Sequence, residues 1–511
     1  MPIISRRLRP DAVISLEYSD DTLLGGSMTP KGAASMREIF STIHQVMIDC
    51  GPACAIEMSE SLLREVRNQS QYRNLLDKND SRRVAAEILY PQLESMKPFA
   101  LDLICAGRNQ RLELNPRQKL SALHSLIAHL CGEAPAEESS DFQSLCRKVI
   151  PKLEQDGLLM PGNAEVFVHE ADNRSNLRTC ELTYVGHNTV IVRSRATQVA
   201  IDPWLLPVSS TFPKKYQPIV RAELGKIDAV IITHSHPDHF DPNTLLQFGR
   251  DVKVIVPFVE RESLLAIDMA FRVRELGSND VQALKWWEEV QIGDIHIAAL
   301  PFYGEQPTTS DQLCPEVRNQ GNTYLIRTPQ FSCAFIADSG RDREGDVREV
   351  ALEAYRRWGA IDILFAGYRG WCLYPVQYVQ SSVSCFLLFV PPELYSVRQS
   401  IMNNISEAVD TAETWHAKYI VPYANGGAPW YWELGLGPVL SCAEKIAPRE
   451  WLFFDPLPDR CLEELRLRSA PTPETFVGSP VLPLILKPGQ SVRFEKGETQ
   501  IVESECHQWP G

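Results

Sequence analysis

Ten residues, THSHPDHFDP at 233–242, constrain this chain more than any other stretch. They hold three of its 11 histidines, His234, His236 and His239, together with Asp238. An apolar run, DAVII at 228–232, leads into them and reads as a buried strand. The ligand-type side chains then sit in a loop at the strand's carboxyl end, where α/β sheets hold their ligands. His234 and His236 are two apart, so an extended backbone points both to one side. Asp238 and His239 follow a proline that restricts the turn. Imidazoles beside a carboxylate suit a first-row transition metal, and the adjacent Asp238 and His239 suit a second ion beside the first. The plainer reading is a solvated polar loop, and the crowding of ligand types behind an apolar strand counts against it.

Either side of this loop the texture differs. Over 1–160 the periodicity predicts a mainly helical domain. ASMREIFSTIHQVMI (34–48) and RQKLSALHSLIAHLC (117–131) place apolar residues at i, i+3, i+4 and i+7. A further helix follows from Asp141 as its cap and is interrupted by Pro151. From 161 to 511 short apolar runs alternate with helical patterns, as in a layered α/β domain. ELTYVGHNTVIVRSRATQVAIDPWL (181–205) reads as a hairpin around a polar turn.

Bulk properties narrow the class. A net charge of -14 argues against a nucleic-acid partner, which calls for a basic face. No stretch approaches the roughly 20 apolar residues that span a bilayer, so no membrane is expected. The 13 cysteines form no CxxC pair or disulfide-like framework, and a reduced, cytoplasmic setting is the expectation.

The pattern HxHxDH after a strand resembles the metallo-β-lactamase fold, a four-layer αββα sandwich. GHNTVIVRSRATQVAIDPWL (186–205) looks like that superfamily's opening hairpin, ending at Asp202. FIADSG (335–340) resembles the later strand end, whose Asp, here Asp338, bridges two metals. The resemblance covers roughly 165–440. Where a hydrolase of this fold supplies its next histidine, ALPFYGEQP (299–307) offers Glu305. His296 lies upstream, and strand alternation does not favour it. The late loop YIVPYANGGAPWYWE (419–433) has no histidine, and Asn425 is its polar residue.

Three histidines with Asp238, Glu305 and Asp338 make a harder, more anionic donor set, which favours iron over zinc. That set resembles the di-iron β-hydroxylases of this fold, which act on amino acids held on peptidyl carrier proteins in nonribosomal peptide biosynthesis. The resemblance implies two iron ions, held by His234, His236 and Glu305 on one side and by Asp238 and His239 on the other, with Asp338 between. It implies O2 as co-substrate, an external electron donor, a peptidyl carrier domain as partner, and a homodimer formed through the N-terminal domain. Glu305 would shift to open a position for O2. The local arginines, Arg341, Arg343, Arg348, Arg356 and Arg357, are a candidate phosphate patch or simply a solvated face. Two other readings compete: a zinc-dependent lactonase or phosphodiesterase, and a scaffold that keeps the fold without the chemistry.

Overall fold

The structure is a computed structural model. It describes residues 6–18, 98–114, 120–133, 139–161, 180–207, 218–263, 266–305, 318–368, 402–424, 481–495 and 498–503, with a few isolated positions between them. The helical stretch expected over 34–48 and the loop residues 425–433 lie outside these.

In the N-terminal part, strands accompany helices among the described residues. Its described residues form strands β1 (Arg6–Leu8), β2 (Val13–Tyr18), β3 (Pro98–Cys105), β4 (Arg108–Glu113) and β5 (Leu159–Pro161), with helices Leu120–Leu130 and Ser140–Gln155. β2, β3 and β4 make an antiparallel sheet, and β1 pairs with β5. PFALDLIC in β3 is buried at nearly every position, and such a continuous apolar run does not distinguish helix from strand by period alone. The second helix is capped by the Ser139 hydroxyl, which accepts from Phe142 N; Asp141 lies in its first turn, and Pro151 is accommodated within it.

The rest is built on β6 (Cys180–Gly186), β7 (Thr189–Arg193), β8 (Gln198–Ile201), β9 (Ala229–Ile231), β10 (Lys253–Pro257), β11 (Val281–Leu284), β12 (Glu289–Ile292), β13 (Ile295–Pro301), β14 (Asn322–Arg327), β15 (Ser332–Ala337), β16 (Ile363–Ala366), β17 (Tyr419–Pro422), β18 (Leu482–Pro483), β19 (Gln490–Glu495) and β20 (Glu498–Glu503). One sheet runs β11-β10-β9-β8-β7-β6-β19-β20 and the other β12-β13-β14-β15-β16-β17-β18. Alternation sends Val190 and Val192 inward while Ile191 faces out, and Ile297 and Ala299 inward while Ala298 and Leu300 face out. The inward sets of both sheets meet in one core with Phe335 and Phe365. Burying each such large side chain is worth about 1.5–3 kcal/mol. Helices Val347–Trp358 and Ile405–Thr414 cover the outer face of the second sheet.

Ile14, Leu101, Leu126 and Leu153 share a single core with Ile191, Ala200 and Val230, so the N-terminal part packs on the outer face of the first sheet. His124 joins the two parts, its ring nitrogens on Leu276 O and Phe248 O at 3.1 and 2.9 Å. Gly277, at φ +98°, leaves no room for a side chain: a Cβ there would lie 2.7 Å from Ser121 Cα. Gly277→Ala is therefore expected to cost about 1–3 kcal/mol through overpacking and backbone strain, read as a lowered thermal midpoint.

Candidate metal centre

β8, β9 and β15 all end at one edge of the sandwich, and their carboxyl ends deliver the ligand-type residues. Beyond β9 the chain is tied across to the second sheet. Thr233 O accepts from Asn322 N at 2.8 Å, and His234 bridges to Gly321. A Cβ at Gly321 would lie 2.7 Å from the Phe302 ring and 3.1 Å from His234 Cβ, so only glycine permits this approach. His239 N and Phe240 N both donate to His236 O, and this turn brings the His239 ring back to within 4.1 Å of the His234 ring.

The six residues singled out in the sequence come together as two overlapping groups. His234, His236, Glu305 and Asp338 each offer an atom within 4.8 Å of the others, and all are buried. His236 Nδ1 is 2.9 Å from Glu305 Oε2, and His234 Nε2 is 3.5 Å from the same oxygen. Asp338 has one oxygen on each side: Oδ2 lies 3.9 Å from His234 Nε2, and Oδ1 lies 3.6 Å from His239 Nε2. His239 Nε2 is also 3.8 Å from Asp238 Oδ2. Asp338 therefore stands between the two groups.

Burial and charge set the protonation of the cluster. Burial, with the His239 and His236 rings beside it, holds the His234 pKa well below the usual histidine value. Burial also pulls on His239, but Asp238, Asp338 and Asp202 outweigh it and hold that ring well above its usual value. For His236 the Glu305 carboxylate outweighs burial, and the pKa is raised. Burial pushes Glu305 up to about 6, against the pull of His236. Asp238 is held well below the usual carboxylate range, since His239 and His187 outweigh its burial. In the metal-free protein the protonated form is thus favoured at His236 and His239 and disfavoured at His234, and a metal cation would take the place of those protons.

The donor set fits such an ion. His239 Nδ1 is occupied by Asp202 at 2.7 Å, while its Nε2 is buried without a hydrogen-bond partner and faces Asp238 and Asp338. Ionised carboxylates buried without compensation cost several kcal/mol each, more than the neighbouring neutral hydrogen bonds return. The cluster is a metal-binding one.

The surrounding residues were less legible. Asp202 accepts from His239 Nδ1, from Thr233 N at 2.7 Å and from the Thr233 hydroxyl at 2.6 Å. Asn319 donates to Glu305 Oε2 at 3.2 Å. Arg318 lies over the Trp286 and Tyr303 rings, which contact each other, and donates to Phe302 O and to Asp342, which in turn accepts from Gly304 N. This clamp fixes the loop that carries Glu305. His187, in the turn between β6 and β7, reaches Asp238 Oδ2 from Nε2 at 2.9 Å. A lone histidine in a polar turn gives no sequence signal of that contact. His296 faces away and pairs with Glu289. Arg341, Arg348, Arg356 and Arg357 are matched by Glu407, Asp346, Asp410 and Glu353, which favours a solvated, charge-paired face over a phosphate patch.

Asp202→Asn is expected to weaken metal binding about 10–100-fold, as loss of a histidine's outer partner typically does. The amide removes the charge that fixes the His239 tautomer. Metal titration of the purified variant reads it.

Comparisons with known proteins agree with this geometry. A family model described as a beta-lactamase superfamily domain matches residues 181–424. A 4-amino-L-phenylalanyl-[peptidyl-carrier-protein] 3-hydroxylase of Streptomyces venezuelae is 34% identical over 189 residues, 36% of this chain and 33% of that protein. A UPF0173 protein of Pyrococcus furiosus is 27% identical over 158 residues, 30% of this chain and 63% of its own length. The matched regions thus span less than two thirds of these relatives. Among solved structures, CmlA, a diiron beta-hydroxylase from Streptomyces venezuelae, superposes with a TM-score of 0.60 at 14% identity, covering 98% of this chain and 99% of that one. The chain accordingly has a metallo-β-lactamase fold with an N-terminal extension, and its residues 181–424 match the beta-lactamase superfamily model.

Proposed function

We propose that this protein is an O2-dependent di-iron monooxygenase that hydroxylates the β-carbon of an aminoacyl group tethered to a peptidyl carrier domain. The observation that carries the reading is Glu305, buried on His236 at 2.9 Å where a hydrolase of this fold presents a histidine. It makes the donor set three imidazoles and three carboxylates, hard enough to prefer iron to zinc. The sequence relative that acts on a carrier-bound aminoacyl group supports the substrate class.

In this reading His234, His236 and Glu305 hold one iron, Asp238 and His239 the other, and Asp338 stands between. Bound iron supplies the redox chemistry that activates O2. Overall, two electrons and two protons enter with O2; one oxygen atom replaces the β-hydrogen as hydroxyl and the other leaves as water. An external donor supplies the electrons. The chain's own work is to hold the ligands, orient the β-carbon and exclude water. The Arg318–Asp342 clamp restrains the loop that carries Glu305, and the Asn319 amide and the His236 ring hold its carboxylate in place. A cavity of about 810 Å³ lined by Trp204, Leu205, Pro237 and the N-terminal residues Ala12 to Ile14 adjoins the loop. It is of a size that holds a small organic group. Residues 1–160 are proposed as the unit that meets the carrier domain or a second copy of the chain, and 161–511 as the catalytic unit. Among the described residues no helix is long and apolar enough to cross a membrane.

Metal analysis of protein produced without added metal tests the assignment. About two irons per chain are expected, and His236→Ala should lose about one of them with the fold kept, because the core strands do not depend on that ring. Zinc in the native protein would favour the hydrolase. Full iron loading and activity in His236→Ala would end the ligand assignment.

A further inference from the structure

We propose that His187 is the positioning residue that fixes Asp238 as a ligand of the second metal ion. The inference rests on the two-metal reading but not on which metal is bound.

Asp238 is the least buried of the six ligand-type side chains: 29% of its side chain is exposed, against 10% or less for His234, His236, His239, Glu305 and Asp338. Packing alone therefore does not choose its rotamer. The turn between β6 and β7 does. His187 Nε2 lies 2.9 Å from Asp238 Oδ2, and the neighbouring Asn188 amide donates to the Asp238 backbone carbonyl. Two successive residues thus hold both the side chain and the main chain of one ligand.

The turn is itself built rigidly. His187 has a left-handed backbone, φ 49°, and its carbonyl accepts from the Tyr184 hydroxyl at 3.0 Å and from Ala424 N at 2.9 Å. Tyr184 belongs to the first sheet, and Ala424 follows the strand β17 of the second. The carbonyl is pinned from both halves of the sandwich. The ring packs on Trp204 with centroids 5.2 Å apart. Its Nδ1 is buried with no hydrogen-bond partner. Nε2 is the ring nitrogen placed to donate to the Asp238 carboxylate.

The geometry makes His187 a holder and not a ligand. Its ring lies 6.5 Å from that of His239, whereas His234 lies 4.1 Å from His239 and 4.5 Å from His236. An outer partner that orients a ligand in this way commonly governs metal affinity.

Two variants test it. His187→Asn keeps a residue that tolerates the left-handed backbone but is too short to reach Asp238. His187→Gln keeps a donor at about the reach of Nε2. Each is titrated with Zn(II), and anaerobically with Fe(II), against a chromophoric chelator. His187→Asn is expected to bind one equivalent as the native protein does and the second about 10–100-fold more weakly. His187→Gln is expected to recover most of that loss. The proposal is overturned if His187→Asn binds both equivalents normally or weakens both together, or if His187→Gln is no better than His187→Asn. Because zinc serves as well as iron, the result stands apart from the hydroxylase reading, which fails instead on iron content and on hydroxylation.

Discussion

Glu305→His is expected to abolish O2-dependent hydroxylation, by more than about 100-fold, and to shift metal preference toward zinc. A metal's outer partners already carry about 10–100-fold, and Glu305 is a proposed inner ligand. The carboxylate contributes negative charge that stabilises higher oxidation states of iron; imidazole contributes none. The variant should fold. Position 305 lies beyond the end of β13, its φ of 51° is left-handed, and histidine is among the residues more often found there. Asn319, which donates to Glu305 Oε2, can donate instead to an imidazole nitrogen. Iron and zinc content, with product formation under a reductant and air, read the outcome. Normal iron loading and normal hydroxylation in this variant would show that Glu305 is not a ligand, whereas zinc and no hydroxylation in the native protein would favour the zinc hydrolase.

The second large effect concerns the carrier. The free amino acid should be turned over at least about 100-fold less efficiently, in kcat/KM, than the same residue loaded on its carrier domain. Binding energy from the remote carrier and arm is available to orient the β-carbon, and every 1.4 kcal/mol of it is worth about tenfold. Cleft-filling variants at Ala12, which lines the cavity beside Trp204 and Pro237, should raise KM for the loaded substrate while leaving iron content unchanged. Equal turnover of free and tethered substrate would remove the carrier from the mechanism, whatever the metal.

His234, His236, Asp238 and His239 were legible in the sequence because they are close in the chain and follow an apolar strand. Local geometry then suffices to group them. Glu305 and Asp338 were legible only as residues at the ends of apolar runs, in the order that the superfamily resemblance implies. The distances that join them to the histidines come from two sheets closing face to face. The N-terminal strands were not legible in the sequence, because a largely buried run such as PFALDLIC has lost the period-2 signal that distinguishes a strand. His187, Asn319 and Arg318 had no sequence signal at all. Each acts through a partner 14 to 51 residues away. The sequence by itself determined that a strand must end in a cluster of metal-type ligands, and the resemblance implied that a carboxylate stands in place of an imidazole. Only the tertiary structure decided which turn holds Asp238, which amide restrains Glu305 and which carboxylate lies between the two groups, because those are contacts between elements that the chain order does not pair.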